Sequence, residues 1–236
     1  MAENREKWPG AESRHPSKSS GTWVVRHALA VWLLAQADEL GGTGRRVRVL
    51  DVGCGVKPYQ PFFSGIADAY VGVDVVESPH ADVIGSVEAL PIDDGSFDVI
   101  LCTQVLEHCD DPVQAVRELR RVTAPGGRVL ASTHGVQAYH PSPVDYWRWT
   151  HEGLRRLFAT NAEWSTLSVD PAAGSASGLA MLLGGFVEIA LRRTAFARPP
   201  VWLLNTIGSR LDAASVMLRS PVPGSLIPNL HVVARV

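Results

Sequence analysis

Val47-Arg48-Val49-Leu50-Asp51-Val52-Gly53-Cys54-Gly55-Val56-Lys57-Pro58-Tyr59 is the stretch whose reading decides the fold. Val47, Val49, Leu50 and Val52 make a short apolar run, the pattern of a parallel strand buried on both faces. The run ends in Asp51-Val52-Gly53-Cys54-Gly55, where two glycines let the backbone turn sharply and approach a ligand closely. In doubly wound α/β folds ligands bind beyond the carboxyl ends of the strands, which makes this turn the expected position of a nucleotide-like ligand.

About 20 residues further on, Ala69-Tyr70-Val71-Gly72-Val73-Asp74 reads as a second strand closing on an acid, placed to accept hydrogen bonds from both hydroxyls of a ribose. Leu90-Pro91, Phe97-Asp98-Val99-Ile100-Leu101-Cys102 and Val105-Leu106-Glu107-His108 follow, then Asp111-Pro112, Glu118-Leu119, Arg121-Val122 and Pro125-Gly126-Gly127-Arg128-Val129-Leu130. In this order, over residues 47–136, the string resembles the class I S-adenosylmethionine-dependent methyltransferases. The resemblance implies an α/β fold: a Rossmann-like, doubly wound, mostly parallel seven-stranded sheet with a helical insertion before the last strand.

Around the deciding stretch, strands are expected near 47–52, 70–74, 97–102 and 127–133, with the clearest intervening helix at 112–123. Pro112 suits its first turn, and Gly126-Gly127 suits a stop after it. This alternation implies a parallel sheet with right-handed crossovers. Val24, Val25, Leu29, Trp32, Leu33 and Ala37 recur at helical spacing, predicting a helix over 22–40 that Gly41-Gly42 ends. A further helix is expected at 151–160, with Thr150 as its N-cap, then a strand at 164–169. Residues 1–20, rich in Pro, Gly, Ser and mixed charge, read as a disordered or loosely held arm. The domain division is then an arm at 1–20, the cofactor-binding core at 21–170, an apolar helical insertion or cap at 171–228, and the last core strand at 229–236. The insertion is longer than an ordinary connection needs. It reads as a cap over the site, as a surface touching a membrane or lipid-linked substrate, or as an oligomer interface.

The resemblance implies roles for particular residues. Asp51, Gly53 and Gly55 match the family's cradle for the methionine end of the cofactor, and Asp74 with Val75 matches the ribose side. Ser86, Val87 and Glu88 match the loop bordering adenine, with Ser86 standing where relatives commonly carry Asp. Thr103 and Gln104 fall at the methyl-transfer mouth, and His108 beside it. At the position of Lys57 many relatives have a third glycine; its side chain is expected in solvent or on the cofactor carboxylate. That departure resembles a subgroup of polysaccharide and cell-envelope methyltransferases, as does the block from Tyr139-His140-Pro141 to Asp145-Tyr146-Trp147-Arg148-Trp149-Thr150.

Polar and aromatic residues crowded on such a loop commonly bind substrate. His140 or His134 suits a general base near neutral pH, with Asp145 as orienting partner. Tyr139, Tyr146, Arg148 and His108 are the candidate substrate-binding residues. Arg148 either holds an acidic group of the substrate or pairs internally with Asp145, and His134 is either the base or a satisfied core histidine.

Composition fits one domain with an insertion. The chain has 236 residues, of which 46% are hydrophobic, and a mean hydropathy of +0.05. Its net charge of −2 argues against a general nucleic-acid binder. Cys54, Cys102 and Cys109 have neither metal-site spacing nor a disulfide count, and no metal site is apparent. A reducing cytoplasm, with or without membrane association, is the expected setting, since no signal-peptide core opens the sequence. The expected function is S-adenosylmethionine-dependent methyl transfer to a small-molecule or lipid-linked acceptor, in particular a sugar hydroxyl. The alternatives are a non-catalytic adaptor that binds the cofactor and uses the insertion to hold a partner or membrane, and a nicotinamide dehydrogenase. The dehydrogenase is disfavoured because no Gly-x-Gly-x-x-Gly follows the first strand.

Overall fold

The computed structural model describes residues 8–139, 141 and 143–236. In chain order, α1 (Ala11–Arg14) and α2 (Trp23–Gly41) precede β1 (Val47–Val52), α3 (Gln60–Phe63), β2 (Ala67–Asp74) and β3 (Val83–Ile84). Then come β4 (Phe97–Thr103), a 3-10 turn at Leu106–His108, α4 (Pro112–Val122), β5 (Thr123–His134), α5 (His151–Asn161) and β6 (Thr166–Pro171). The insertion comprises α6 (Ser175–Ala190), a 3-10 turn at Ala195–Ala197, α7 (Arg198–Ala214) and α8 (Val216–Arg219), and β7 (Asn229–Arg235) closes the order.

One sheet carries the strands in the order β3-β2-β1-β4-β5-β7-β6. β7 runs antiparallel to both its neighbours, and the other pairs are parallel. This is the expected doubly wound, mostly parallel arrangement, with the helical insertion before the last strand. The chain runs outward from β1 to β3, then returns to β4 on the other side of β1. That reversal opens a crevice at the carboxyl ends of β1 and β4.

The apolar run of β1 does not alternate because both faces of the sheet are covered. Leu50 and Val52 pack into a core with Leu119 of α4 and Phe158 of α5. Val47 and Val49 pack on the opposite side with Leu29 and Leu33 of α2 and Phe63 of α3. Local capping sets the helix starts. The Asp111 carboxylate accepts from the Gln114 amide at 3.0 Å ahead of α4, and the Thr150 hydroxyl accepts from Gly153 at 3.0 Å ahead of α5.

Residues 8–20 correct the expectation of a loose arm. Arg14 is buried, and its guanidinium donates to the main-chain carbonyls of Trp8, Pro9 and Pro58. The Trp8 indole donates to the Lys57 carbonyl at 2.9 Å, and the Asn205 amide on α7 donates to the carbonyls of Lys18 and Ser20. Ties to carbonyl oxygens leave no hydrophobic pattern in the sequence, which is why composition alone misreads this segment. Arg14→Ala is expected to raise the rate of limited proteolysis within 8–20 by about tenfold or more, since charged hydrogen bonds contribute about 1.5–3 kcal/mol each. Unchanged cleavage would mean that the segment is held by other contacts.

Small residues bring the insertion helices close. A Cβ added at Gly208 of α7 would lie 2.8 Å from the Ala176 carbonyl and 2.9 Å from the Ala180 Cβ on α6. The Asp212 carboxylate of α7 accepts from the Ala176 and Ser177 amides, both at 3.0 Å, and so caps α6. Among the described residues, no helix is long and apolar enough to cross a membrane.

Candidate active site

The turn after β1 is built from backbone. Gly53 and Gly55 hold φ of 67° and 51°, a region that glycine enters without a Cβ clash. The Gly53 and Cys54 amides donate to the Val73 carbonyl at 2.8 and 3.1 Å, locking the turn against the end of β2. A Cβ on Gly53 would sit 2.4 Å from Val105 Cγ2, whereas one on Gly55 would meet nothing within 4 Å. The first glycine therefore serves packing, and the second faces open space.

Asp74, at the end of β2, reaches back to the turn. One carboxylate oxygen accepts from the Gly55 amide at 2.9 Å and the other from the Val76 amide at 3.0 Å. Asp51 is buried at the end of β1 and accepts from the Tyr70 hydroxyl at 2.6 Å. Burial pushes its carboxyl up to about 7, against the opposing pull of Tyr70 and Lys57.

Lys57 is not in solvent, as the sequence suggests, but 6% exposed. Its φ of 52° places it in the left-handed region that glycine enters most readily. Its ammonium pairs with Asp82, which also accepts from the Gly72 amide at 2.7 Å. A Cβ on Gly72 would come within 2.4 Å of Lys57 Cε, so the lysine stem fills that space.

A cavity of about 760 Å³ starts at Asp51, Gly53 and Gly55, passes Thr103, Gln104, Glu107, His134 and Tyr139, and reaches Met181, Phe186 and Ile189 on α6. A second, of about 540 Å³, is lined by Asp74, Val75, Ser86, Val87, Glu88 and Tyr146. The two share Gly53, Gln104 and His108, and so wrap the glycine turn from both sides. Gln104 sits at φ 58°, and its amide donates to the Ser132 hydroxyl at 2.7 Å. The Ser86 hydroxyl accepts from the Glu88 amide at 3.2 Å, and Glu88 accepts from the Asp111 amide at 3.0 Å.

At the far side of the larger cavity stands an acid-base cluster. Glu107 is fully buried and accepts from the Thr133 hydroxyl at 2.8 Å. His134 Nε2 lies 3.1 Å from Glu107 Oε1, and His134 Nδ1 lies 3.8 Å from Asp145 Oδ2. Burial raises the Glu107 carboxyl to about 7. Glu107 is therefore the nearer carboxylate to His134, and the expected Asp145 the farther one. Asp145 instead pairs with Arg148 at 2.6 Å.

Arg148 also donates to the carbonyls of Gln137, Ala138 and Trp147, so its guanidinium braces the loop. The pairing with Asp145 is one of the two readings of Arg148 that the sequence left open. Tyr139 and Tyr146, 68% and 57% exposed, line different cavities. His108 Nδ1 lies 3.0 Å from the Val144 carbonyl. His140 lies outside the described residues. The Glu107-His108 dipeptide was legible as part of a motif, but nothing in the sequence signalled that Glu107 would meet His134.

A family model described as a methyltransferase domain matches residues 50–131. Over 100 residues the chain is 37% identical to malonyl-(acyl-carrier protein) O-methyltransferase of Erwinia pyrifoliae, covering 38% of each protein. Over 129 residues it is 33% identical to a probable S-adenosylmethionine-dependent methyltransferase of Mycolicibacterium smegmatis, covering 50% of this chain and 48% of the relative. The chain thus spans less than half the length of these two curated relatives. The solved structure of a putative sarcosine dimethylglycine methyltransferase from Galdieria sulphuraria shares the fold, with a TM-score of 0.54 at 16% identity over 89% of this chain and 87% of that one. With the glycine turn, the acid ending β2 and the crevice between β1 and β4 already in place, residues 50–131 match a methyltransferase domain and are similar to a probable S-adenosylmethionine-dependent methyltransferase.

Proposed function

We propose that this chain transfers the methyl group of S-adenosylmethionine to an oxygen atom of a small or lipid-linked acceptor, with a sugar hydroxyl as the acceptor class. The observation that carries the reading is that the Glu107–His134 pair lines the same cavity as the Gly53–Gly55 turn. The matched relative from Erwinia is itself an O-methyltransferase by name.

The residues present fit the cofactor. Gly55 faces open space at the turn, where its neighbourhood with Asp51 would hold the methionine end. Asp74 keeps lone pairs for the ribose hydroxyls. Val75 and Val87 would flank adenine, beside Glu88. The Ser86 hydroxyl is already engaged by the Glu88 amide, so adenine binding rests mainly on those apolar walls. S-adenosylmethionine brings an electrophilic methyl on a sulfonium. Thr103 and Gln104 border that end of the cavity, and catalysis lies largely in positioning the acceptor for in-line attack. As the acceptor oxygen attacks, its proton passes to the Glu107–His134 pair, whose carboxylate stabilises the imidazolium that forms.

Calorimetric titration with S-adenosylmethionine, followed by S-adenosylhomocysteine release over nucleotide-sugars and polyprenyl-linked sugars, tests this. Binding in the micromolar range and release with one acceptor class are expected; no binding by folded protein overturns the reading. A cofactor-binding adaptor is the second reading, favoured by exposed apolar side chains on the insertion such as Phe196, 81% exposed. Binding without release across the whole panel would select it.

A further inference from the structure

The insertion presents its apolar residues outward. On α7, Val201, Asn205, Gly208 and Asp212 are buried. On the opposite side Leu203, Ile207 and Leu211 recur every fourth residue, 48–51% exposed. Phe186 of α6, at 70%, and Met217 of α8, at 71%, extend the exposed apolar surface. Scattered apolar residues need no explanation, but a stripe at helical spacing on an insertion does.

The charge of the same segment is one-sided. Residues 175–228 contain Arg192, Arg193, Arg198, Arg210 and Arg219 and two acids, Glu188 and Asp212, in a chain whose net charge is −2. All five arginines are exposed. Asp212 is buried and turned onto the Ala176 and Ser177 amides. Glu188, half-buried, accepts from the Gly21 amide at 2.8 Å, so both acids are engaged by backbone amides and the exposed charge of the segment is cationic. A second copy of this chain, carrying the same five arginines here, would meet like charge across a symmetric contact. An acidic lipid surface meets both features at once.

We propose that the α6–α8 insertion seats this protein on an anionic bilayer surface, its apolar side chains at the headgroup–acyl boundary and its arginines against acidic headgroups. No described helix is long and apolar enough to cross a membrane, so the helices lie in the interface. Phe186, Ile189 and Arg193 belong both to the insertion and to the wall of the larger cavity, so the seated insertion opens that cavity toward the bilayer. The proposal does not depend on which acceptor is methylated.

Vesicle co-sedimentation tests it, with phosphatidylcholine alone and phosphatidylcholine mixed with phosphatidylglycerol. The wild-type chain is expected to bind the anionic vesicles and to be released by salt. Each basic side chain near such a surface contributes roughly a fivefold factor, so Arg210→Glu lowers binding about tenfold or more. Leu203→Asp with Ile207→Asp is expected to lower it at least as far. Circular dichroism and an unchanged melting temperature identify variants that remain folded. Wild-type protein left in the supernatant with both vesicles, or bound equally to both, overturns the proposal. So does self-association abolished by Leu203→Asp in the absence of vesicle binding, which would make this face a contact between copies.

Discussion

Asp74→Ala is expected to weaken S-adenosylmethionine binding about a hundredfold or more, measured by calorimetry. Two effects combine. The carboxylate is the acceptor proposed for both ribose hydroxyls, and hydrogen bonds to a charged group contribute about 1.5–3 kcal/mol each. It also holds the Gly55 and Val76 amides at 2.9 and 3.0 Å, so its loss slackens the turn that faces the ligand. Asp74→Asn separates the two, because its single carbonyl can still hold one amide but the charge is gone. An Asn variant intermediate between Ala and wild type is the expected order. Undiminished binding in Asp74→Ala would move the ribose contact elsewhere. By contrast, a side chain at Gly53 would perturb folding as well as binding, since its Cβ meets Val105 at 2.4 Å.

The second large effect is on turnover. His134→Gln and Glu107→Gln are each expected to lower kcat toward a hydroxyl acceptor about 10²–10⁴-fold, the usual contribution of general acid-base catalysis. KM for the cofactor should hold within about threefold, because neither residue is proposed to touch it. As the pair acts as a unit, the double variant should be little worse than either single one. Asp145→Asn is expected to do less, since its carboxylate lies 3.8 Å from His134 and 2.6 Å from Arg148. A loss of only a few-fold in both single variants would mean that positioning alone carries the reaction.

The same pair gives a pH signature. Burial raises the Glu107 carboxyl from its ordinary 4.5 to about 7. The wild-type rate should therefore climb as pH rises through about 7, and Glu107→Gln should flatten that limb. The stability sign is opposite. Between about 4.5 and 7 the folded chain holds the Glu107 proton more tightly than the unfolded chain, so this group's contribution falls as pH rises across that window. Thermal melts of Glu107→Gln should accordingly show a weaker pH dependence there than wild type. Around Glu107 stand His134, Thr133, Asp145 and Arg148.

The fold was legible because its signals are local. The apolar run at 47–52, the glycines after it and the acid at 74 each announce a strand, a turn and a strand end by their own chemistry. Thr150 and Pro112 marked helix starts in the same way. β3 was not legible, since two residues, Val83 and Ile84, carry no period. Nor was the placement of residues 8–20, whose ties run to carbonyls of a turn 44 and 49 residues away.

The candidate site divides along the same line. The sequence by itself indicated which residues surround the β1 turn, because the parallel strands of this kind of sheet bring their carboxyl ends to one edge. Only the tertiary structure decided the partners at that edge. Glu107 and His134 are 27 residues apart, one on the 3-10 turn after β4 and the other at the end of β5, and their meeting at 3.1 Å depends on β4 and β5 pairing in register, Thr103 against Ser132. Lys57 turned inward because Gly72 leaves room for its stem and Asp82 waits beside it. Pairings of this kind depend on how separate segments pack, and a charged residue in a sequence does not say which oppositely charged one it will reach.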